Sequence, residues 1–105
     1  MVNVPVPAYT KGAEIRELIE AEWQPRLEAF KPQMLFVSAG FDAHTDDPLA
    51  QLMLEVGDYV WMTEFILEVA QRHAQGRIVS SLEVGYALPA LAQSAVAHIR
   101  TLAGR

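Results

Sequence analysis

Two short segments of the chain carry side chains that could do chemistry, and each follows an apolar run. Asp42 and His44 come after the run 34–39, and Tyr86 comes after the run 78–82. A carboxylate and an imidazole can bind a divalent ion such as zinc, and a nearby phenol can donate a hydrogen bond to a developing oxyanion. This combination indicates metal-assisted hydrolysis of an amide or ester.

Two strands are predicted to position these side chains. The run 34–39 lacks polar alternation, which is typical of a strand buried on both faces of a parallel sheet, and the run 78–82 is predicted to be the second strand. The carboxyl ends of parallel strands lie at one edge of the sheet, where α/β proteins build their sites. If the strands are neighbours, we expect Asp42, His44, Glu83 and Tyr86 to converge there.

Helices are predicted around the strands. Apolar residues recur at helical spacing over 12–30, 58–74 and 88–102. Pro25 lacks a backbone donor, so the first helix should kink or divide near Trp23.

Two shorter segments complete the predicted chain. The segment 2–7 is predicted to be extended, and its prolines favour an edge or end position in the sheet. Asp47 and Pro48 suit the N-cap and first turn of a short helical segment through about Met53. The order β-α-β-α-β-α predicts one domain over 1–105, an α/β three-layer unit with a short parallel sheet.

Composition narrows the classes of function. A chain of 105 residues fits one domain but is short for a complete α/β hydrolase. Its net charge of −5, with 8 scattered Lys and Arg residues, argues against nucleic acid or an anionic membrane as partner. The absence of cysteine excludes thiolate zinc sites. No signal-peptide pattern opens the sequence, so we expect a soluble, cytoplasmic protein.

Two motifs together carry a family resemblance. SAGFDAHTDDPL over 38–49 and SLEVGYALPALAQS over 81–94 resemble the carboxyl-terminal part of the zinc-dependent deacetylases, which include histone deacetylases, acetylpolyamine amidohydrolases and acetoin-utilisation proteins. The segments 3–7 and 30–32 are also similar to family segments, so the resemblance covers nearly the whole chain. It implies a partial arginase/deacetylase fold.

The resemblance also implies roles for individual residues. Asp42 matches one of three zinc ligands, and Tyr86 matches the tyrosine that polarises the carbonyl of an acetyl-lysine or acetylpolyamine amide. Phe41, Val84 and Gly85 match the substrate channel. The other two zinc ligands and a His-His pair come from a region upstream of anything in this sequence, so we expect the chain alone to be inactive.

Some residues depart from the family pattern or are given no catalytic role. Val84 stands where the family usually has glycine; its β-branched side chain should resist positive φ and narrow the channel. His44 is left outside the metal set because the matching family position is not a ligand. Turn and cap chemistry accounts for Asp46 and Asp47.

Two other interpretations remain open. The chain could be a non-catalytic module that self-associates through an exposed sheet edge, and on that ground we expect a homodimer or higher oligomer. A weaker interpretation is a binder of phosphate or a nucleotide at the strand ends, using Ser80, Ser81 and Gly85, which no phosphate-binding or dinucleotide-binding motif supports.

Overall fold

The computed structural model describes residues 1–104, in which helices pack against a small parallel sheet. The elements are α1 (Gly12–Leu18), a π-helical segment (Ile19–Trp23), α2 (Gln24–Phe30), β1 (Leu35–Gly40), α3 (Val56–His73), β2 (Ile78–Val84) and α4 (Leu88–Leu102). The predicted long helices and both central strands are therefore confirmed. No helix of the described residues is long and apolar enough to cross a membrane.

Two shorter predictions are wrong. The segment 2–7 forms no strand, because neither β1 nor β2 pairs with it. The segment 47–53 holds a turn at 48–50 instead of a helical segment. The end of this segment pairs with the backbone before α1 instead, since the Met53 N–H donates to the Thr10 carbonyl at 3.0 Å.

The first helical region divides where the proline predicted it would. Pro25 lies in the first turn of α2, where a missing N–H costs no intrahelical bond. The preceding residues 19–23 take the wider π-helical turn, so the helical path continues past Trp23. Lys31 then adopts a left-handed conformation, with φ of 53°, and ends α2 before β1.

The sheet consists of β1 and β2 in parallel. Their register runs from Leu35 opposite Ile78 to Ala39 opposite Leu82 and then shifts, so that Gly40 lies opposite Val84. Glu83 is thereby left as an extra residue, which makes a β-bulge at the carboxyl end of β2.

The core lies between one face of the sheet and the helices. One buried cluster joins Ala39 and Phe41 to Tyr59 of α3, and Val37 packs against it. The opposite face is open in the described residues, where Phe36 is 75% exposed. The structure is an α/β fold with one helical layer packed on a two-stranded sheet.

A partly buried carboxylate, that of Asp58, ties α1 to the start of α3. Oδ1 of Asp58 accepts hydrogen bonds from Arg16 Nη2 at 2.8 Å and Nε at 3.1 Å. Oδ2 accepts the N–H of Glu55 at 2.9 Å, which caps α3. Gly12 packs directly against this carboxylate, and a Cβ at Gly12 would overlap with it.

Gly12→Ala is therefore expected to destabilise the fold. The added methyl group would displace the Asp58 carboxylate and weaken its bonds to Arg16 and Glu55, lowering the free energy of unfolding by about 1–3 kcal/mol. Gly57→Ala is the matched control, because nothing lies within 4 Å of its Cβ position. That change should raise stability by about 0.4–1 kcal/mol. Urea denaturation measures both, and equal stabilities would contradict the packing described.

A series of side-chain hydrogen bonds joins β2, α4 and α3 through His98. His98 Nδ1 lies 2.8 Å from Thr63 Oγ1, and Nε2 lies 2.8 Å from Ser80 Oγ. The Thr63 hydroxyl donates to the Tyr59 carbonyl at 2.7 Å, so it accepts from His98 Nδ1–H. Nε2 of the neutral ring is then the acceptor for the Ser80 hydroxyl.

This arrangement predicts a loss of stability in acid. Burial lowers the pKa of His98, so the folded chain resists the proton that the unfolded chain takes up at about pH 6.5. The contribution of His98 is complete above that pH and is lost as pH falls through the folded pKa. Melting temperatures at pH 7.5 and 5.5 should differ more in the wild type than in His98→Gln. An unchanged difference would contradict the prediction.

Candidate functional site

The site begins where β1 ends. Phe41 is buried, and its N–H donates to the Val84 carbonyl at 2.8 Å, which holds the ends of the two strands together. Asp42 follows in a turn, and its side chain is half-buried. Oδ1 of Asp42 lies 3.4 Å from the position that a Cβ on Gly40 would take. The carboxylate therefore sits beside the last residue of β1.

Val84 flanks the same glycine from β2. Its Cγ2 lies 3.1 Å from the Cβ position of Gly40, so this methyl group and the Asp42 carboxylate border one small space. Val84 is not among the non-glycine residues with positive φ. The expected strain is absent because Val84 keeps the extended backbone of the strand.

Gly85 and Tyr86 connect β2 to α4. A Cβ on Gly85 would lie 2.6 Å from Leu91 Cδ1, so glycine here permits the close approach of α4. The Tyr86 side chain is 54% exposed at the entry to the helix. Its ring is therefore accessible from solvent.

Asp47 holds the loops after β1 and β2 together. One oxygen, Oδ2, accepts the N–H groups of Tyr86 at 2.8 Å and Ala87 at 3.2 Å. The other oxygen accepts the N–H of Leu49 at 3.0 Å. The predicted turn role is found in the bond to Leu49, but the bonds to the β2 loop were missed. Sequence spacing carries no signal for a contact across 39 residues.

The charge on Asp47 is favoured by these bonds. Burial raises the pKa of its carboxyl, but the N–H donors of Leu49, Tyr86 and Ala87, together with nearby His44, outweigh burial and hold the pKa below its usual value. The carboxylate form therefore stabilises the fold at neutral pH. That contribution is present above about pH 4, the unfolded value, and is lost as pH falls through the lower folded pKa.

Asp47→Asn is expected to loosen the connection between the two loops. The amide keeps one acceptor oxygen but replaces the other with an NH2 group, which faces N–H donors. We expect a lower melting temperature at pH 7 and faster hydrogen exchange at the amides of Tyr86 and Ala87. Asp46→Asn is the control, since the Asp46 side chain is largely exposed. Equal exchange rates in both variants would refute the role assigned to Asp47.

The other polar residues at this end of the sheet form hydrogen bonds with neighbours other than Asp42 and Tyr86. His44 is buried, and its Nδ1 accepts the N–H of Asp46 at 3.0 Å within its own turn. Glu83 Oε1 accepts from the Ser38 hydroxyl at 3.3 Å. Ser80 is bonded to His98, which weakens the phosphate-binding interpretation.

Tyr59 is a polar residue that sequence reasoning did not single out. It is 6% exposed, and its hydroxyl has no hydrogen-bond partner among residues 1–104. Burial raises its pKa, and the charge of Asp42 raises it further, while the nearby Ala43 N–H offsets part of the rise. Tyr59 lies on the apolar face of α3, so its spacing indicated only core packing.

The metal-binding capacity of the described chain is limited. Within residues 1–104, no three His, Cys, Asp or Glu side chains are grouped so that they could hold a metal ion. A catalytic zinc ion takes three protein ligands. The described residues therefore do not make a complete zinc site.

Comparison with known proteins identifies the family of the chain. A model of the histone deacetylase domain family matches residues 1–102. Histone deacetylase 14, chloroplastic, of Arabidopsis thaliana is 36% identical over 103 residues, which are 98% of this chain and 24% of that protein. A probable deacetylase of Archaeoglobus fulgidus is 35% identical over 104 residues, covering 98% of this chain and 29% of its own length.

Solved structures give the same result. The crystal structure of the HDA15 HD domain superimposes with a TM-score of 0.90 at 30% identity, over 99% of this chain and 28% of that one. The chain thus spans less than a third of the length of these relatives. Because the family model matches nearly all of its residues, the chain belongs to the histone deacetylase family.

Proposed function

We propose that this chain is the carboxyl-end part of a zinc-dependent amidohydrolase that removes acetyl groups from acetyl-lysine or acetylpolyamine-type amides. The observation that carries the proposal is the joining of the Asp42 and Tyr86 loops at one sheet edge through Asp47. Asp42 would be one zinc ligand in the whole protein. The chain alone would be inactive, since residues 1–104 hold no complete set of zinc ligands.

Tyr86 is proposed to act on the substrate carbonyl. Its partial exposure lets the hydroxyl donate a hydrogen bond to the oxygen on which negative charge develops during amide hydrolysis. The backbone bonds to Asp47 would restrict the movement of the loop and so keep the phenol in position. Val84 and Gly85 would form the nearby wall of the substrate channel, whereas Phe41 is buried in the core beneath it.

The proposal is tested by transferring the chain into a relative. We would replace the matching segment of the Archaeoglobus fulgidus probable deacetylase with this chain and measure zinc content and hydrolysis of an acetyl-lysine peptide. Tyr86→Phe should lower kcat about 100- to 1000-fold with zinc retained. Asp42→Ala should lower both zinc content and activity.

Tyr9→Phe serves as the control for the transfer, because Tyr9 is also exposed but belongs to neither of the loops that follow β1 and β2. It should leave kcat unchanged. Full activity in the Tyr86→Phe hybrid would contradict the proposed role, and stoichiometric zinc with turnover in the isolated chain would contradict an incomplete site.

A second candidate function is that of a self-associating module without catalysis. The observation that favours it is the open sheet, which has only two strands in the described residues. Strand edges with unpaired backbone groups favour association. In that case motif residues such as Asp42 would stabilise loops only, and neither hybrid substitution would affect catalysis specifically.

A further inference from the structure

Val84 occupies the space that Gly40 leaves beside the Asp42 carboxylate. Its Cγ2 lies 3.1 Å from the Cβ position of Gly40, and Asp42 Oδ1 lies 3.4 Å from the same position. Since carbon atoms pack best at about 3.5–4.0 Å, a carbon at that position would already be crowded. A methyl group of β2, rather than a side chain of β1, therefore forms the wall next to the carboxylate.

The backbone on both sides of Val84 is held in place. The Phe41 N–H donates to the Val84 carbonyl at 2.8 Å, and the Tyr86 N–H donates to the Asp47 carboxylate at 2.8 Å. Between them, Gly85 approaches α4 so closely that an added Cβ would lie 2.6 Å from a side-chain carbon of that helix. A β-branched side chain on a fixed strand also has few rotamers. Val84 therefore makes a rigid wall that does not readily move aside.

This wall lies next to both side chains that have chemical roles in the proposed function. Asp42 is beside Val84 across the strand pair, and Tyr86 follows Val84 by two residues along the chain. An amide carbonyl that lies between these two side chains brings its acyl carbon close to Val84. The remaining carbons of the acyl group must then enter the space that the valine methyl groups border.

We propose that Val84 is a specificity-determining residue that restricts the acyl group of the substrate to about the size of acetyl. The inference rests on the proposed function and narrows its substrate class to amides of short carboxylic acids. Acetyl carries a single methyl group beyond its carbonyl carbon, whereas butyryl carries a chain of three carbons. The longer chain would overlap with the Val84 methyl groups, and one methylene in an apolar pocket changes kcat/KM about 10- to 200-fold.

The hybrid with the Archaeoglobus fulgidus probable deacetylase tests this size limit with acetyl-lysine and butyryl-lysine in one peptide sequence. Val84→Ala removes both methyl groups and should raise the butyryl-to-acetyl ratio of kcat/KM about tenfold or more. Because each ratio is measured within one protein, a partial loss of folded enzyme does not alter it. An equal ratio in Val84→Ala and the unmodified hybrid would overturn the proposal.

Two further variants show whether position and side-chain size are responsible. Val79→Ala is the matched control, because Val79 is a valine of the same strand whose side chain is 45% exposed. It should leave the ratio unchanged. Val84→Thr keeps the branched shape of valine and should also leave the ratio near that of the unmodified hybrid. A ratio raised equally by Val79→Ala and Val84→Ala would contradict a wall at Val84.

Peptide binding separates this inference from the proposed function. In the Tyr86→Phe hybrid, which should turn over slowly, calorimetry should give a dissociation constant for the butyryl-lysine peptide about tenfold or more above that for the acetyl-lysine peptide. Adding Val84→Ala should close this gap. Equal affinities in the Tyr86→Phe hybrid would overturn the size limit even if the unmodified hybrid deacetylates. A zinc-loaded hybrid that hydrolyses neither peptide would refute the proposed function, whereas an affinity gap that Val84→Ala closes would still support the size limit.

Discussion

The parallel pairing of β1 with β2 is the constraint on which the rest of the structure depends. It places the turn with Asp42 and the turn with Tyr86 at the same edge, because parallel strands end on the same side. The Asp47 carboxylate then fixes the separation of the two turns through backbone donors. Strand direction therefore sets the approximate positions of the two turns, and the buried Asp47 carboxylate fixes them more closely.

Much of the fold could be predicted from periodicity because helices and strands bury regular faces. The spacing of apolar residues gave the long helices, and Pro25 marked the division of the first one. The segment 2–7 was predicted less well, since its composition suits a strand but no partner strand lies beside it. Strand formation depends on pairing between distant segments, which a single local pattern does not contain.

The main residues of the candidate site could be predicted from the sequence, but the residues that hold them in place could not. Asp42 and Tyr86 stood out because each follows a predicted strand and matches a family motif. Asp47 looked like a local turn residue, and its bonds to the second loop depend on the tertiary fold. Tyr59 gave no polar signal because its aromatic ring fits the apolar face of α3.

The bulge at Glu83 determines which side chain of β2 lies opposite Gly40, beside Asp42. Because β2 contains one residue more than β1 over the paired stretch, the inward and outward alternation of its side chains changes phase just before the loop. In a regular ladder without the bulge, Glu83 would lie opposite Gly40 in place of Val84, and the following side chains would turn to the opposite face. The size of the space beside Asp42 is therefore controlled by strand length as well as by residue identity, so insertions and deletions here would alter it as strongly as substitutions.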